Sequence, residues 1–171
     1  MVRIRKMTDD DVDAVAEIRV GGWRTAYRGL VPDRYLDAMD PLADAAAHRA
    51  RRSSPAYPMA ELVAESPLDG VIGWACLGPS RDEDLPAPAG ELYALYVRPA
   101  LVGTGVGRAL CAGVLERARE RGDARLGLWV LRENARARRF YARAGFTADG
   151  AERVDPVDGE PVVEVRYVRG L

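Results

Sequence analysis

Cysteine and histidine are nearly absent from this sequence: Cys76, Cys111 and His48 are all it contains. Two cysteines allow at most one disulfide and exclude a disulfide-stapled framework. No CxxC or HExxH spacing occurs, so neither a zinc ribbon nor a zincin helix is encoded and no metal is expected. No apolar run approaches the roughly 20 residues that cross a bilayer. The N-terminus opens on Arg3, Arg5 and Lys6, without an apolar signal region. A cytoplasmic location and no membrane partner are the expectation. An excess of one charge is also lacking: 25 Lys and Arg against 26 Asp and Glu give a net charge of -1. Nucleic-acid binding favours a basic face, and this balance supplies no footprint for it.

What is present is the composition of a globular protein, 48% hydrophobic and 30% charged. A chain of 171 residues is long enough for one domain with a sizeable core and short for two. Val2 to Met7 reads as a short strand. Thr8 and Asp9 cap a helix whose stripe is Val12, Val15, Ala16 and Ile18, with Gly21 and Gly22 expected to interrupt it. Pro32 to Met39 reads as a short helix, and Asp40-Pro41 separates it from an alanine-rich one ending at Arg51. Met59 to Glu65 and Val71 to Leu77 form a hairpin about Pro67 to Gly70. A proline-rich acidic loop, Gly78 to Gly90, leads to a strand from Glu91 to Val97. Gly105 to Arg121 is a helix, Leu126 to Leu131 a strand and Asn134 to Ala144 a helix stopped by Gly145. Phe146 to Val154 and Val162 to Val168 close the chain as a hairpin. The order does not alternate strictly, so one α+β domain over residues 1–171 is expected.

The most informative stretch runs from Leu92 to Arg108. A strand ends at Pro99, and Gly103, Thr104, Gly105, Val106, Gly107 and Arg108 lead directly into a helix. Helix starts carry unpaired amides and partial positive charge, and glycines let a phosphate approach the backbone. A P-loop is excluded because no Gly-Lys-Ser/Thr follows. A dinucleotide fingerprint fits poorly, since Arg108 stands at the third glycine position. Taken alone, the turn serves packing or phosphate binding equally well.

Two segments carry a resemblance. Val97-Arg98-Pro99 followed by Gly103-Thr104-Gly105-Val106-Gly107-Arg108 resembles the acetyl-CoA motif Gln/Arg-x-x-Gly-x-Gly/Ala of the GNAT superfamily of N-acetyltransferases. Gly105 and Gly107 match its glycines; Val102 replaces its Gln/Arg. Asn134 to Phe146 resembles the second cofactor segment, in which Asn, Ala, Tyr and Gly-Phe recur. Trp23 to Gly29 is similar, less specifically, to an early helical segment. The resemblance implies a mixed, mostly antiparallel sheet flanked by helices, with acetyl-CoA as cosubstrate. Its implied activity is acetyl transfer to an amine on a small molecule or peptide. Homodimers are common in such a family. A noncatalytic acyl-CoA sensor on the same fold, or a nucleotide-binding protein of another class, are the competing readings.

The resemblance further implies direct attack of the amine on the thioester. Leu95, Tyr96 and Val97 are the candidates for backbone contacts to the acetyl-pantetheine arm, and Asn134 belongs to the cofactor segment. Tyr141 matches the position that protonates the departing sulfur. Glu91, expected by period two on one face with Tyr93, Leu95 and Val97, is the candidate to take the amine proton through water; its alternative is a polar residue at a strand entrance. Arg108, with Arg138 and Arg139, is a candidate to assist the phosphates. Trp23 and Tyr27 are candidates for an acceptor pocket, and Asp82, Glu83 and Asp84 for drawing in a cationic amine.

Overall fold

The computed structural model describes residues 1–171. Seven strands form one sheet: β1 (Arg3–Lys6), β2 (Ala60–Ser66), β3 (Gly70–Pro79), β4 (Ala89–Val97), β5 (Arg125–Leu131), β6 (Thr147–Val154) and β7 (Val163–Gly170). Their spatial order is β1-β2-β3-β4-β5-β7-β6, and only β4 and β5 pair in parallel. Five helices accompany them: α1 (Val12–Ala26), α2 (Asp33–Ala38), α3 (Pro41–Arg52), α4 (Val106–Glu120) and α5 (Ala135–Arg143). The expected mixed, mostly antiparallel architecture is what forms. No helix is long and apolar enough to cross a membrane.

Each face of the sheet has its own core. Val106, Leu110, Val114 and Ala118 recur at helical spacing on α4 and pack with Ile72, Leu77, Leu92 and Leu128. Val12, Val15, Ala16 and Ile18 of α1 pack with Val63, Trp74 and Cys76 on the other face. Cys76 and Cys111 are free, buried and in different cores, as small hydrophobes.

One helix differs from expectation. α1 runs straight through Gly21 and Gly22. These glycines are contact points rather than breaks. A Cβ on Gly22 would stand 2.8 Å from Cδ1 of Tyr96, and one on Gly21 3.6 Å from Pro99. The helix tolerates their propensity cost because β4 and the turn after it lie against its backbone.

An irregularity of register in β4 shapes the centre of the sheet. Cys76 pairs with Ala94 and Leu77 with Leu92, so Tyr93 is an extra residue. Tyr93 and Ala94 both face the α1 side, while Leu92, Leu95 and Val97 face α4. This is a β-bulge, which bends and twists its strand. The parallel ladder to β5 ends there, at Leu92–Leu128. β5 stays on β7 through Leu131, so β4 and β5 part beyond the bulge.

Candidate active site

The parting of β4 and β5 opens a cavity of about 1170 Å³. Leu92 to Val97 form one wall, Trp129 and Val130 another, and Gly103 to Gly105, Gly107 and Arg108 the rim. Backbone hydrogen bonding along β4 follows from one anchor: Arg98 N donates to Ile72 O at 2.8 Å. Antiparallel bonding alternates, so Tyr96 and Ala94 exchange their bonds with Trp74 and Cys76. The N–H and C=O groups of Leu95 and Val97 then point at the edge β5 has left. Leu95 and Val97 therefore have backbone groups free of the β3 ladder, whereas the Tyr96 amide belongs to it and only the Tyr96 side chain faces the cavity.

At the rim, the amides of Gly103, Gly105, Val106, Gly107 and Arg108 find no acceptor in the chain; the first amide paired inside α4 is that of Ala109, to Gly105 O at 3.0 Å. Gly103 and Gly105 have φ of +88° and +99°, which L side chains rarely adopt. Gly105 caps α4 without any side-chain bond. Five convergent donors at a helix start make an anion cradle. Val106 contributes its amide here while its side chain is buried in the core. Gly107 brings α4 close to α5, since its Cβ would lie 3.5 Å from the Phe140 ring.

Four tyrosines line the cavity; Tyr93 donates to Pro79 O at 2.6 Å, which leaves Tyr27, Tyr96 and Tyr141. The hydroxyls of Tyr27 and Tyr96 are 3.3 Å apart. Tyr141 packs edge-on against Phe140 and Phe146, and its hydroxyl has no hydrogen-bond partner. Burial holds all three phenols above the ordinary tyrosine range, with the neighbouring Tyr96 adding to the shift of Tyr141. All are protonated at neutral pH. Trp23 packs on Tyr27 with ring centroids 4.7 Å apart, in a small core under the cavity.

Other sequence candidates fall elsewhere. Asn134 caps α5, accepting from the Ala137 amide at 3.1 Å, and also lines the cavity. Glu91 does not share a face with Leu95 and Val97, because the bulge at Tyr93 reverses the alternation. Its carboxylate is buried outside the cavity lining and held by the Arg81 guanidinium and by the Arg81 amide at 3.1 Å. Asp82 and Asp84 both have partners in the fold: Arg166 takes the exposed Asp84 through two 2.7 Å bonds, and Trp129 donates to Asp82 at 3.0 Å. Two of the three loop carboxylates are thus paired within the fold, while Glu83 is exposed and forms no ion pair. Arg138 is likewise occupied, donating to the Tyr167 hydroxyl and to Arg132 O. Sequence reasoning missed Arg136 and Arg143, which line the cavity with Arg139. Their spacing of three and four residues, which stacks side chains on one helix face, was the available signal.

A family model described as "Acetyltransferase (GNAT) family" matches residues 22–146. The chain belongs to this GNAT family of acetyltransferases. An uncharacterized N-acetyltransferase of Bacillus subtilis (strain 168), YuaI, is 30% identical over 134 residues, covering 78% of this chain and 74% of that protein. A mycothiol acetyltransferase of Beutenbergia cavernae is 49% identical over 61 residues, only 36% of this chain and 20% of the relative. Among solved structures, the PaiA N-acetyltransferase of Thermoplasma acidophilum in complex with coenzyme A superposes with a TM-score of 0.72 at 21% identity, over 100% of this chain and 99% of that one. The ribosomal-protein-alanine N-acetyltransferase of Brucella melitensis gives 0.72 at 25% identity, over 99% of both chains.

GNAT acetyltransferases use acetyl-CoA, and this site fits such a cosubstrate. The rim offers unpaired amides for a pyrophosphate, and the wedge offers an unpaired strand edge for a peptide-like arm. No three His, Cys, Asp or Glu side chains gather where they could hold a metal ion.

Proposed function

We propose that residues 1–171 form one catalytic domain that transfers acetyl from acetyl-CoA to a primary amine by direct attack in a ternary complex. The observation that carries this reading is the set of five unpaired amides at the start of α4, beside a strand edge opened by the bulge. The turn from Gly103 to Arg108 binds the pyrophosphate. Leu95 and Val97 offer backbone groups to the pantetheine arm and a donor to the thioester oxygen, where negative charge develops. In the transfer a C–N bond forms, the C–S bond breaks, and the sulfur gains a proton as the amine loses one. Tyr141 supplies the sulfur's proton from a phenol kept protonated by burial, and is restored by the proton that the amine releases to water. Glu91 acts as a positioning residue: through Arg81 it fixes the loop that leads into β4.

Tyr27 and Tyr96 line the place where the acceptor meets the thioester. Relatives named for mycothiol, for a ribosomal protein and for PaiA share this fold, so the amine is left to experiment. A thiol-release assay with acetyl-CoA over a panel of small amines, polyamines, amino acids and peptide N-termini tests the reading, with product masses confirming acetylation. Release that depends on an amine and yields its acetylated mass supports it. Tight acetyl-CoA binding without turnover on any amine would instead indicate a sensor.

A further inference from the structure

The cavity crosses the sheet where β4 and β5 part, and its two halves differ in charge. Phe140 and Tyr141 line it from the α4 side, where they pack on the core that contains Val130. Tyr27 lines it from α1, on the other face. The five charged residues of the lining are all arginines of the α4 side: Arg108 on α4, Arg136, Arg139 and Arg143 on α5, and Arg169, which donates to Ala144 O. The half that faces α1 has no charged residue in its lining. Its main side chains are Thr25, Ala26 and Tyr27 of α1, Ala94 and Tyr96 of β4, and Trp129 of β5. Trp129 faces this way because Leu128 and Val130 on either side of it belong to the α4-side core.

The carboxylates around this half are committed to partners. Glu91 is held by Arg81, Asp82 accepts from Trp129 Nε1 at 3.0 Å, and Glu164 accepts from Arg153 at 2.7 Å. With its N–H bonded to Asp82, Trp129 offers ring surface rather than a donor. The Arg153 guanidinium stands 4.4 Å from a ring centroid of Trp129, and that of Arg166 5.6 Å. An aromatic face attracts cations through its quadrupole, and two guanidinium groups already draw on this one. An ammonium here would find neither a carboxylate nor an unshared ring, and an unpaired charge is costly to desolvate. Apolar surface meets no such cost. The polar groups of this half are hydroxyls: those of Tyr27 and Tyr96, 3.3 Å apart, and that of Thr25. They suit a neutral amine nitrogen, which both donates and accepts. A monoamine becomes neutral by losing one proton, whereas a polyamine keeps further ammonium groups that this half cannot pair.

We propose that the acceptor of this chain is a monoamine on an aromatic or other apolar body, seated against Trp129 with its nitrogen at the Tyr27 and Tyr96 hydroxyls, and that polycationic amines are disfavoured. The proposal rests on the acetyl-transfer reading above and names its acceptor class. Phenethylamine and spermidine are the probes. Initial rates with acetyl-CoA, and calorimetric titration of each amine into the coenzyme A-saturated protein, test it. The wild type should favour phenethylamine by at least about tenfold in kcat/KM and in affinity. Trp129→Ala should lower kcat/KM for phenethylamine about tenfold, mainly through KM, with coenzyme A affinity unchanged. That variant also deprives Asp82 of its donor and Arg153 of its ring, so Thr25→Glu supplies a second arm. Thr25 is exposed in the last turn of α1, and a carboxylate there should narrow the preference by about threefold to fivefold by giving spermidine a partner. Spermidine preferred by the wild type, a phenethylamine KM unmoved in folded Trp129→Ala, or a preference unmoved by Thr25→Glu overturns the acceptor class and leaves acetyl transfer standing. Phenethylamine bound in preference to spermidine without turnover of any amine supports the seat and removes the catalytic reading. Binding of neither amine to protein that holds coenzyme A overturns the seat.

Discussion

Tyr141→Phe separates a catalytic hydroxyl from a packing ring. Phe140, Tyr141 and Phe146 form an edge-on series with centroids 5.1 and 5.9 Å apart, and phenylalanine keeps that ring. The hydroxyl bonds to nothing in the chain, so its removal breaks no hydrogen bond. A bonded buried hydroxyl would cost about 1 kcal/mol to delete; this one should shift stability by under about 0.5 kcal/mol. For a chain of this size that is roughly 2 °C in Tm or less. Activity should respond differently. General acid catalysis contributes about 10²–10⁴-fold, but a phenol held above its usual range is a weak acid and a thiolate leaves readily. A fall in kcat of about 10- to 100-fold is expected, equivalent to roughly 1.4–2.7 kcal/mol of barrier. Coenzyme A affinity by calorimetry should be unchanged. The raised phenol also means that no Tyr141 limb should enter the wild-type kcat profile below about pH 10. Solvent-viscosity controls must first show that chemistry limits turnover. A Phe variant with wild-type kcat under those conditions, or one that loses several degrees of Tm and keeps its kcat, would refute the assignment.

Gly107→Glu should weaken coenzyme A binding more than tenfold by calorimetry, because its side chain would start beside Phe140 and Val97 at the cavity wall and add a negative charge next to the five amides; unchanged affinity in a folded variant would show that the turn is no cradle. Gly22→Ala sets a helix-propensity gain of about 1 kcal/mol against overpacking of about 1–3 kcal/mol, since its Cβ would lie 2.8 Å from the Tyr96 ring. Net destabilisation of up to about 2 kcal/mol in urea melts is expected, and a more stable variant would contradict the contact. Asp11 accepts from Arg5 at 2.8 Å and is held down to about 2 from 3.8, so its contribution is present above the unfolded value and lost as pH falls from about 5 to 2. That contribution is about 1–2 kcal/mol after allowance for partial solvent screening, and Asp11→Asn should flatten the acid limb of Tm against pH; an unchanged slope would locate acid sensitivity elsewhere. On binding coenzyme A, hydrogen exchange should slow at Leu95, Val97 and Gly103 to Arg108 while Ala94 and Tyr96, already paired to β3, change little; the opposite order would overturn the register argument.

The parts of the fold that carry strong local signals were legible. A strand stopped by Pro99, a glycine turn and the Val106/Leu110/Val114 stripe announce β4, the turn after it and α4 in sequence, and each stands where expected. What failed to show were long-range geometries. Gly21-Gly22 reads as a helix break because propensity is local, whereas its use is to admit Tyr96 and Pro99. Asp82 and Asp84 read as unpaired charges able to draw in an amine because Arg166 lies far along the chain. Glu91 was placed on the wrong face because period two assumes an unbroken ladder. Tyr93 and Ala94 contain no glycine or proline to announce that the ladder is broken.

That bulge links the sequence to the chemistry. Parallel strands lying side by side would exchange their backbone bonds to the end, and the Leu95 and Val97 groups would be consumed in the sheet. An extra residue at Tyr93 turns β4 away from β5 just past Leu92, so those groups are left unpaired. Shortly after β4 the chain enters the turn that leaves five more amides unpaired. Backbone groups left unpaired along a cavity are available to a ligand's polar atoms. Here both sets open on the same cavity, one suited to an amide-bearing arm and the other to a pyrophosphate. In the proposed binding mode the thioester beyond that arm would lie toward Tyr141, which lines the same cavity. Replacing the motif's polar side chain with Val102 is tolerable for the same reason: Val102 is 40% exposed at the rim, and the cradle is made of main-chain donors.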